Sequence, residues 1–516
     1  MQRPPSPPPP RLPASRASDL RADLTESFTR ATVEEVLGPV ASAALDREDP
    51  VPARRVTAAS REPAAVLTRL FLLGGTATRR DLDVALPRTT TAGAAAVGLV
   101  AAAGEADDDE VRARVDLRPY EATDAVGDVR WWIASDLGEL ATGESLRADH
   151  VLGIGGASVT LAGITVRDHR HRVLDLGTGC GVQALHAARH ADEVVATDVS
   201  RRALEFAAFN ATLAGTRLDL RAGSLLEPVR EERFDLVVSN PPFVITPPAA
   251  HAAGLPVMEY RDGAMPGDSL VAELVSGLGD HLAPGGVAQL LGNWEHHAGE
   301  DWRERVTAWL AAAGTDGWVV QREVQDPAEY AHTWLRDGGL RPGTPLFDAA
   351  LAAWLDDFAA RGVEAVGFGY LTLRRPGDGS RGGWHRVEDV DAPVHRPLGG
   401  HVAAVLAAQE WLATHDDAAL ADQRLVVADD VTEERYYRPG EPDPRVLRLR
   451  QGEGFGRTYR PGTLVAGAVG ACDGELTLGQ VVAGLAVLLD QPADAVAAEV
   501  LPAVRELLLD GFLRLA

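Results

Sequence analysis

The chain has 516 residues, 46% of them hydrophobic and 24% charged, a composition typical of a globular protein with roughly two to four domains. Its formal net charge of -25, from 75 acidic and 50 basic residues, argues against non-specific clamping of a nucleic-acid backbone but leaves room for a local basic groove. No apolar run reaches the roughly 20 residues of a membrane-spanning helix, and two cysteines without a targeting motif favour the cytoplasm.

The first part of the chain is predicted to be a proline-rich disordered tail, residues 1–24, followed by a helical domain, residues 25–122. Within that domain, three stretches have helical spacing and a fourth alternates like a strand: Ala64–Phe71, Thr78–Leu86, Thr91–Ala103 and Val111–Leu117. A succession of helix, turn, helix, helix and strand is typical of a winged helix.

A different pattern, of short β-rich runs separated by glycine turns and helices, occupies residues 123–375. The expected strands are Val173–Leu176, Val194–Thr197, Leu218–Leu220, Leu236–Val238 and Val287–Leu291. Such alternation predicts a mostly parallel α/β sheet with ligands bound outside the carboxyl ends of its strands. A polar linker, Arg374–Gly383, then leads to a mainly helical domain, residues 384–516, which we expect to be winged-helix-like.

The most informative turn follows the first of these strands, in the sequence Val173-Leu-Asp-Leu-Gly-Thr-Gly-Cys-Gly181. Its glycines let the backbone bend tightly and approach a ligand. Asp198 ends the next strand, where an acid can accept hydrogen bonds from ribose hydroxyls. This arrangement suits either a dinucleotide or S-adenosylmethionine. Asp175, inside the turn, would oppose a pyrophosphate but suits a cationic cofactor, so S-adenosylmethionine is favoured.

A second motif, Asn240-Pro-Pro-Phe243, closes the fourth strand. The side-chain oxygen of Asn240 and the carbonyl of Pro241 can accept hydrogen bonds from the two N–H groups of a planar amide or amine. The nitrogen lone pair is then turned toward a methyl donor. The prolines stiffen the loop, and Phe243 offers a face for stacking. Positioning and desolvation then supply most of the catalysis.

The two motifs together resemble class I S-adenosylmethionine-dependent methyltransferases of the small-domain type. Leu282-Ala-Pro-Gly-Gly286 also matches that group, and Asn240-Pro-Pro-Phe-Val-Ile-Thr-Pro-Pro248 resembles release-factor glutamine methyltransferases, which modify a Gly-Gly-Gln loop. Those enzymes usually have tyrosine where this chain has Phe243, a departure that several rRNA base methylases share. The resemblance implies a Rossmann-like, mostly parallel seven-stranded sheet and an N-methyltransferase activity.

Candidate residues follow from the motifs and from the resemblance. The predicted catalytic residues are Asn240, Pro241, Pro242 and Phe243. The predicted cofactor contacts are Asp175, Gly177, Thr178, Gly179, Gly181, Asp198, Val199, Ser224, Leu225 and Asn240, where the loop of Ser224 and Leu225 would lie beside the adenine or form a solvent turn.

Weaker signals surround these motifs. Tyr260–Gly263 is expected either to line the substrate entrance or to form a surface turn, and Asp149–Gly155 to pack over the cofactor or not to touch it. Cys180 is interpreted as a packing residue, since the sequence shows no base paired with it. No metal is expected.

Three functions remain open from the sequence. The first is methylation of a protein glutamine, with a release factor as partner. The second is methylation of a nucleobase amine in rRNA, tRNA or DNA, which the winged-helix-like flanks and Phe243 favour. The third is a non-catalytic, cofactor-sensing regulator, which the intact Asn240–Phe243 segment disfavours. No membrane partner is expected.

Overall fold

The computed structural model describes residues 6–124, 126–263, 265–377, 381–394 and 397–516. The chain divides into two compact units, the first formed by residues 1–162 and 168–389, and the second by residues 163–167 and 390–516. Within the described residues, no helix is both long and apolar enough to cross a membrane.

Three helices begin the first unit: α1 (Ala14–Ser27), α2 (Arg30–Leu45) and α3 (Val51–Thr57). The prediction of a disordered tail over residues 1–24 is therefore wrong from residue 14 onward, while residues 1–5 lie outside the described part. Helix α1 is ordered because Leu20 and Leu24 are buried, which offsets the entropy of ordering this segment.

A winged helix follows, as predicted. Its elements are α4 (Pro63–Leu67), a π-helical turn (Thr68–Leu72), β1 (Thr76–Thr78), α5 (Arg79–Ala85), α6 (Thr90–Ala96), β2 (Val100–Ala102) and β3 (Glu110–Ala113). The strands form an antiparallel sheet in the order β1-β3-β2. The hydroxyl of Thr78 accepts from the Asp81 N–H and caps α5, as its position before the helix suggests.

The third predicted helix of this module, Thr91–Ala103, is too long. Helix α6 ends at Ala96, and Gly98 takes a positive φ of 86°, which alanine-rich sequence alone does not reveal. Val100 is 1% exposed and pairs with Ala113. Burial of Val100 and pairing with β3 therefore override the helical preference of the preceding alanines.

A long β-hairpin connects the winged helix to the central sheet. It consists of β4 (Asp116–Asp124) and β5 (Gly127–Ser135), and is followed by α7 (Glu139–Thr142) and α8 (Gly156–Ile164). The hydrophobic core is continuous from the N-terminal helices through this hairpin to residues 180–213, joining Phe28 and Phe71 to Phe206 and Phe209. The domain limits drawn from the sequence stay predictions.

The central sheet has eight strands, one more than expected. They are β6 (Arg170–Leu176), β7 (Ala191–Asp198), β8 (Asp219–Ala222), β9 (Phe234–Ser239), β10 (Leu282–His297), β11 (Asp316–Gln325), β12 (Val363–Arg374) and β13 (His385–Asp389). Their order is β13-β11-β12-β10-β9-β6-β7-β8. All neighbours are parallel except that β12 runs antiparallel to both β10 and β11. The mostly parallel Rossmann-like fold is confirmed, and the additional strand is β13, at one edge.

Helices of this region separate the strands. They are α9 (Val182–Ala187), α10 (Arg201–Ala214), α11 (Pro248–Ala252), α12 (Ser269–Leu278), α13 (Trp302–Ala313), α14 (Pro327–Asp337) and α15 (Pro345–Arg361). One face of the sheet packs with α12 and α13 in a core that includes Trp294, Trp302 and Trp309. The predicted linker Arg374–Gly383 falls partly on residues 378–380, outside the described part.

The second unit begins with α16 (Gly399–Thr414) and α17 (Asp417–Ala421). The elements that follow are β14 (Arg424–Val427), β15 (Val431–Tyr436), β16 (Val446–Gln451), β17 (Thr458–Tyr459), α18 (Thr463–Gly470), β18 (Asp473–Thr477), α19 (Leu478–Leu488), α20 (Ala493–Leu509) and β19 (Leu513–Leu515). From α18 onward, helix, strand, helix, helix and strand repeat the order of the N-terminal winged helix. The central strand, however, is β14, which precedes these helices in the chain.

Candidate active site

The glycine turn lies at the carboxyl end of β6. Gly177, Gly179 and Gly181 have positive φ values of 73°, 54° and 87°, a conformation that other residues rarely adopt. A Cβ at Gly177 or Gly179 would meet no atom within 4 Å, whereas one at Gly181 would lie 3.0 Å from the Cβ of Ala207. The first two glycines thus border open space, and the third allows close packing against α10.

The carboxylate of Asp175 is bound inside this turn. Its Oδ2 accepts from the hydroxyl of Thr178 at 2.6 Å and from the N–H of Ala184 at 2.9 Å. Asp175 is 1% exposed, and burial raises the pKa of its carboxyl to about 7 against the opposing effect of these two hydrogen bonds. Asp175 and Thr178 therefore hold the turn to α9, and contact between them and a cofactor stays a prediction.

Asp198 connects the end of β7 to the glycine turn. Its Oδ2 accepts from the N–H of Gly179 at 2.9 Å, and its Oδ1 accepts from the N–H of Ser200 at 2.8 Å. Burial raises the pKa of this carboxyl. Val199, next in the chain, is 64% exposed. Asp198 and the glycine turn, which the sequence analysis assigns to one cofactor site, are thus hydrogen-bonded to each other. The exposed side chain of Val199 lies next to them in the chain.

The loop of Ser224 and Leu225 lies next to Asp198, because the N–H of Gly223 donates to the carbonyl oxygen of Asp198 at 3.0 Å. Ser224 is exposed. Leu225 has a positive φ of 45°, a conformation that is uncommon for a residue with a side chain. The predicted adenine loop therefore borders the predicted ribose acid.

The Asn240–Phe243 segment begins where β9 ends, one strand away from the glycine turn. Ser239 is the register partner of Leu176 at the end of β6, and its hydroxyl donates to the Leu176 carbonyl at 2.8 Å. The side-chain oxygen of Asn240 is buried and has no hydrogen-bond partner among the described residues. A buried acceptor without a partner is unfavourable in an isolated protein, so this oxygen is a candidate ligand contact.

The residues after Phe243 are fixed by distant parts of the chain. The N–H of Val244 donates to the carbonyl of Arg261 at 2.9 Å, and the N–H of Ile245 donates to the hydroxyl of Tyr330 at 2.9 Å. The indole N–H of Trp354 donates to the carbonyl of Ile245 at 2.7 Å. The backbone that leads out of the Asn240–Phe243 segment is therefore held by α14, α15 and the loop after α11.

Aromatic rings surround the side chain of Phe243. Its ring centroid lies 6.2 Å from that of Trp334 and 6.5 Å from that of Phe368, both at interplanar angles of 76°. Sequence reasoning missed Tyr330 and Trp334. The available signal was the helix start at Asp326-Pro327, followed by two aromatic residues four positions apart and hence on one helix face.

The surface-turn interpretation of Tyr260–Gly263 is wrong for its central residues. Arg261 is 3% exposed and Asp262 is 7% exposed. The Asp262 carboxylate accepts from the hydroxyl of Thr246 at 2.6 Å and from the N–H of Met258 at 2.7 Å. This segment therefore packs against the residues that follow Phe243.

The segment Asp149–Gly155 reaches the same region. The N–H of Glu259 donates to the carbonyl of Ala148 at 3.0 Å, and the ring of His150, which is 6% exposed, lies 6.3 Å from that of Tyr260. The stretch before β6 and the loop beside Phe243 are thus in contact, although contact with a cofactor stays a prediction.

Cys180 is a packing residue of the glycine turn rather than a nucleophile. Cys180 is buried, and burial raises the pKa of its thiol to about 12, so the thiolate needed for nucleophilic attack is scarce at neutral pH. Over the described residues, no group of three or more His, Cys, Asp or Glu side chains is placed to hold a metal ion.

Comparison with known proteins agrees with this geometry. Residues 155–254 match the family model "methyltransferase small domain". Over this segment the chain is similar to methyltransferases of the small-domain type. On either side of it, residues 25–114 and 403–515 match two domains of unknown function, DUF7059 and DUF7782.

Curated relatives of the methyltransferase small domain include two glutamine methyltransferases. The ribosomal protein uL3 glutamine methyltransferase of Bradyrhizobium diazoefficiens is 35% identical over 30% of this chain and 51% of its own length. The release factor glutamine methyltransferase of Bordetella pertussis is 33% identical over 39% of this chain and 61% of its own length. The chain thus spans between half and two thirds of these relatives. A solved methyltransferase from Pyrococcus furiosus is 16% identical, covering 42% of this chain and 81% of its own, with a TM-score of 0.25.

Proposed function

We propose that this chain is an S-adenosylmethionine-dependent N-methyltransferase whose acceptor is the side-chain amide of a protein glutamine. The observation that carries the proposal is the buried Asn240 side-chain oxygen without a partner, one strand away from the open glycine turn. An acceptor nitrogen that donates to Asn240 would supply the missing hydrogen bond.

The residues around the turn fit S-adenosylmethionine. The absence of any atom within 4 Å of a Cβ at Gly177 or Gly179 leaves room for a ligand along the backbone. The carboxylate of Asp198 would hold the ribose, and the 64% exposed side chain of Val199 would lie against the adenine, together with Leu225. S-Adenosylmethionine would supply a methyl group on a positively charged sulfur.

The Asn240–Phe243 segment would prepare the acceptor. The Asn240 oxygen and the Pro241 carbonyl would accept hydrogen bonds from its two N–H groups, which fixes the amide plane so that the nitrogen lone pair faces the methyl donor. Phe243 would support the planar group from one side. As the nitrogen bonds to the methyl carbon, the bond from that carbon to sulfur would break and one N–H proton would pass to water. Holding the nitrogen in the reactive orientation is therefore the main task of these residues.

Charge in the N-terminal winged helix favours a protein over a nucleic acid. Residues 63–113 contain five arginines and seven acidic residues, and Glu105, Asp107 and Asp108, between β2 and β3, are exposed. Arg80 is paired with Asp107, and Arg88 with Asp23 and Glu26. An acidic wing would repel phosphates rather than neutralise them. The glutamine acceptors named for the curated relatives support the same choice.

The second candidate acceptor is a nucleobase amine, which one feature of the second unit favours. The hairpin of β15 and β16, residues 431–451, contains five arginines in a chain without lysine, and Tyr436 and Tyr437 are 46% and 51% exposed. Arginine with exposed tyrosine is a combination that binds single-stranded nucleic acid. Four acidic residues in the same hairpin weaken the case for nucleic-acid binding there.

The deciding experiment uses purified protein, labelled S-adenosylmethionine and an extract from cells that lack the gene. Aliquots are digested with protease or with nuclease. Label released only by protease is the expected result, and a Gly-Gly-Gln peptide should then be methylated directly. Label released only by nuclease would establish the nucleobase acceptor, whose binding should weaken steeply as salt rises. A lack of any label, with cofactor binding shown separately, would overturn both acceptor proposals and leave a cofactor-sensing regulator.

A cytoplasmic location is part of the proposal, supported by two free, buried cysteines.

A further inference from the structure

The indole of Trp334 has a hydrogen-bond donor without a partner. Trp334 lies on α14, and its Nε1 is buried with no acceptor among the described residues. Buried indole N–H groups usually donate to an acceptor. Two other tryptophans of this unit show the usual situation, since Trp294 donates to Gln321 and Trp354 donates to Ile245.

Trp334 is also fixed beside the Asn240–Phe243 segment. Its ring contacts that of Phe243, with centroids 6.2 Å apart, and its backbone carbonyl accepts from Nη1 of the buried Arg261 at 2.8 Å. One turn earlier on α14, the hydroxyl of Tyr330 accepts from the N–H of Ile245. The backbone that carries the indole is therefore anchored on both sides of the ring contact with Phe243.

Two unsatisfied groups of opposite type thus flank Phe243. Asn240, three residues earlier in the chain, presents an acceptor, and Trp334, against the ring, presents a donor. A carboxamide needs both, because its NH₂ donates while its carbonyl oxygen accepts. Resting on the proposed function, we infer that Trp334 is a specificity residue whose indole N–H donates to the carbonyl oxygen of the acceptor glutamine.

The hydrogen bond is separated from simple ring packing by comparing two peptides. One contains Gly-Gly-Gln and the other Gly-Gly-Met, whose side chain has similar length but neither donates N–H bonds nor carries the carbonyl. Inhibition constants for both are measured with wild type, with Trp334→Phe and, as a control, with Trp309→Phe, a buried residue of α13. The wild type should bind the glutamine peptide more tightly than the methionine peptide. Trp334→Phe should reduce that preference about tenfold, and Trp309→Phe should leave it unchanged.

Each outcome decides one question. If wild type methylates the glutamine peptide and Trp334→Phe weakens the binding of both peptides equally, Trp334 acts by packing alone and the inference is wrong. If Trp334→Phe binds both peptides as wild type does, so that the preference for glutamine is unchanged, the inference is wrong as well. If wild type does not methylate any glutamine peptide but labels nucleic acid, the proposed function itself fails. Cofactor affinity and Tm, measured for each variant, show whether the fold has been kept.

Discussion

The side chain of Asn210, on α10, donates to the carbonyl oxygen of Cys180 in the glycine turn at 2.8 Å. The same amide forms two hydrogen bonds with the backbone of Ala134, donating to its carbonyl and accepting from its N–H. Asn210 is fully buried. One side chain thus joins the candidate cofactor turn to the hairpin that follows the N-terminal winged helix.

Replacing Asn210 should therefore destabilise the first unit. Asn210→Ala leaves two carbonyls and one N–H unpaired in the core, and we expect a loss of about 3 kcal/mol in the free energy of unfolding. Urea denaturation measures it. The control is Arg201→Ala, an exposed position on the same helix, which should change stability by less than about 0.5 kcal/mol. Equal stabilities of the two variants would contradict this role for Asn210.

The assignment of Asp198 to the cofactor ribose is tested by binding. Asp198→Asn keeps the size of the side chain but replaces one of its two acceptor oxygens with a donor, which opposes the N–H groups of Gly179 and Ser200. We expect S-adenosylmethionine affinity, measured by calorimetry, to fall at least about tenfold. Asp192→Asn, at an exposed position of the same strand, should not alter it. Unchanged affinity in Asp198→Asn would exclude the assignment.

Asn240, predicted to contact both the acceptor and the cofactor, should matter far more for transfer than for cofactor binding. Asn240→Ala removes the acceptor that would orient the target nitrogen, so we expect the transfer rate to fall at least about 100-fold. The dissociation constant for S-adenosylmethionine should change by less than about threefold. Single-turnover transfer of labelled methyl measures the first quantity, and calorimetry the second. A variant that retains full activity would show that the segment does not orient the acceptor.

The raised pKa of Asp175 predicts a pH dependence of stability. Because the carboxyl has a pKa of about 7 in the folded protein against an ordinary value of 3.8, the folded state keeps a proton that the unfolded state releases. Stability contributed by this group therefore falls as pH rises from about 4 to about 7, by about 2–4 kcal/mol in total.

The test is to compare wild type with Asp175→Asn by urea denaturation at pH 5 and pH 8. The variant cannot titrate at this position, so its stability relative to wild type should be greater at pH 8 than at pH 5. Asp128→Asn, in an exposed part of the hairpin, serves as the control. A constant difference between Asp175→Asn and wild type across this range would mean that Asp175 is ionised in the folded protein throughout.

Local sequence signals were sufficient for the two motifs and their placement. Short β-rich runs predict strands over Val173–Leu176 and Leu236–Val238, and in the sheet Leu176 and Ser239, one residue beyond the second run, are neighbours. The same reasoning could not supply Tyr330 as a partner of Ile245, because the two are 85 residues apart in the chain. The helix that covers a loop is determined by the packing of the whole unit. The sequence pattern of the loop itself therefore cannot predict which helix it is.

Errors arose where local preference and burial disagree. The prolines predict a disordered tail over residues 1–24, yet Leu20 and Leu24 are buried in the core. The alanines predict a helix over Thr91–Ala103, whereas Val100 is buried in a strand. In both places the conformation is decided by burial of apolar surface against residues far away in the sequence. Such burial stabilises the folded state by about 25 cal/mol for each Å².

The hydroxyl of Tyr330 offers the last test, of the support behind the acceptor segment. It accepts from the N–H of Ile245 and from the side-chain amide of Asn293, both at 2.9 Å, and Tyr330 is fully buried. Tyr330→Phe leaves two buried donors unpaired while keeping the ring. We expect about 2 kcal/mol less stability and about tenfold slower methyl transfer, since the backbone after Phe243 loses its fixed position.

Cofactor affinity should be unaffected in this variant, because Tyr330 contacts the segment after Phe243 rather than the glycine turn. Tyr437→Phe removes the hydroxyl of an exposed tyrosine and should behave as wild type in all three measurements. If Tyr330→Phe lowers stability but transfers methyl at the wild-type rate, the hydroxyl has a purely structural role. The two prolines of the Asn240–Phe243 segment and the contacts of Arg261 and Trp354 with the residues that follow it would then be enough to hold its conformation.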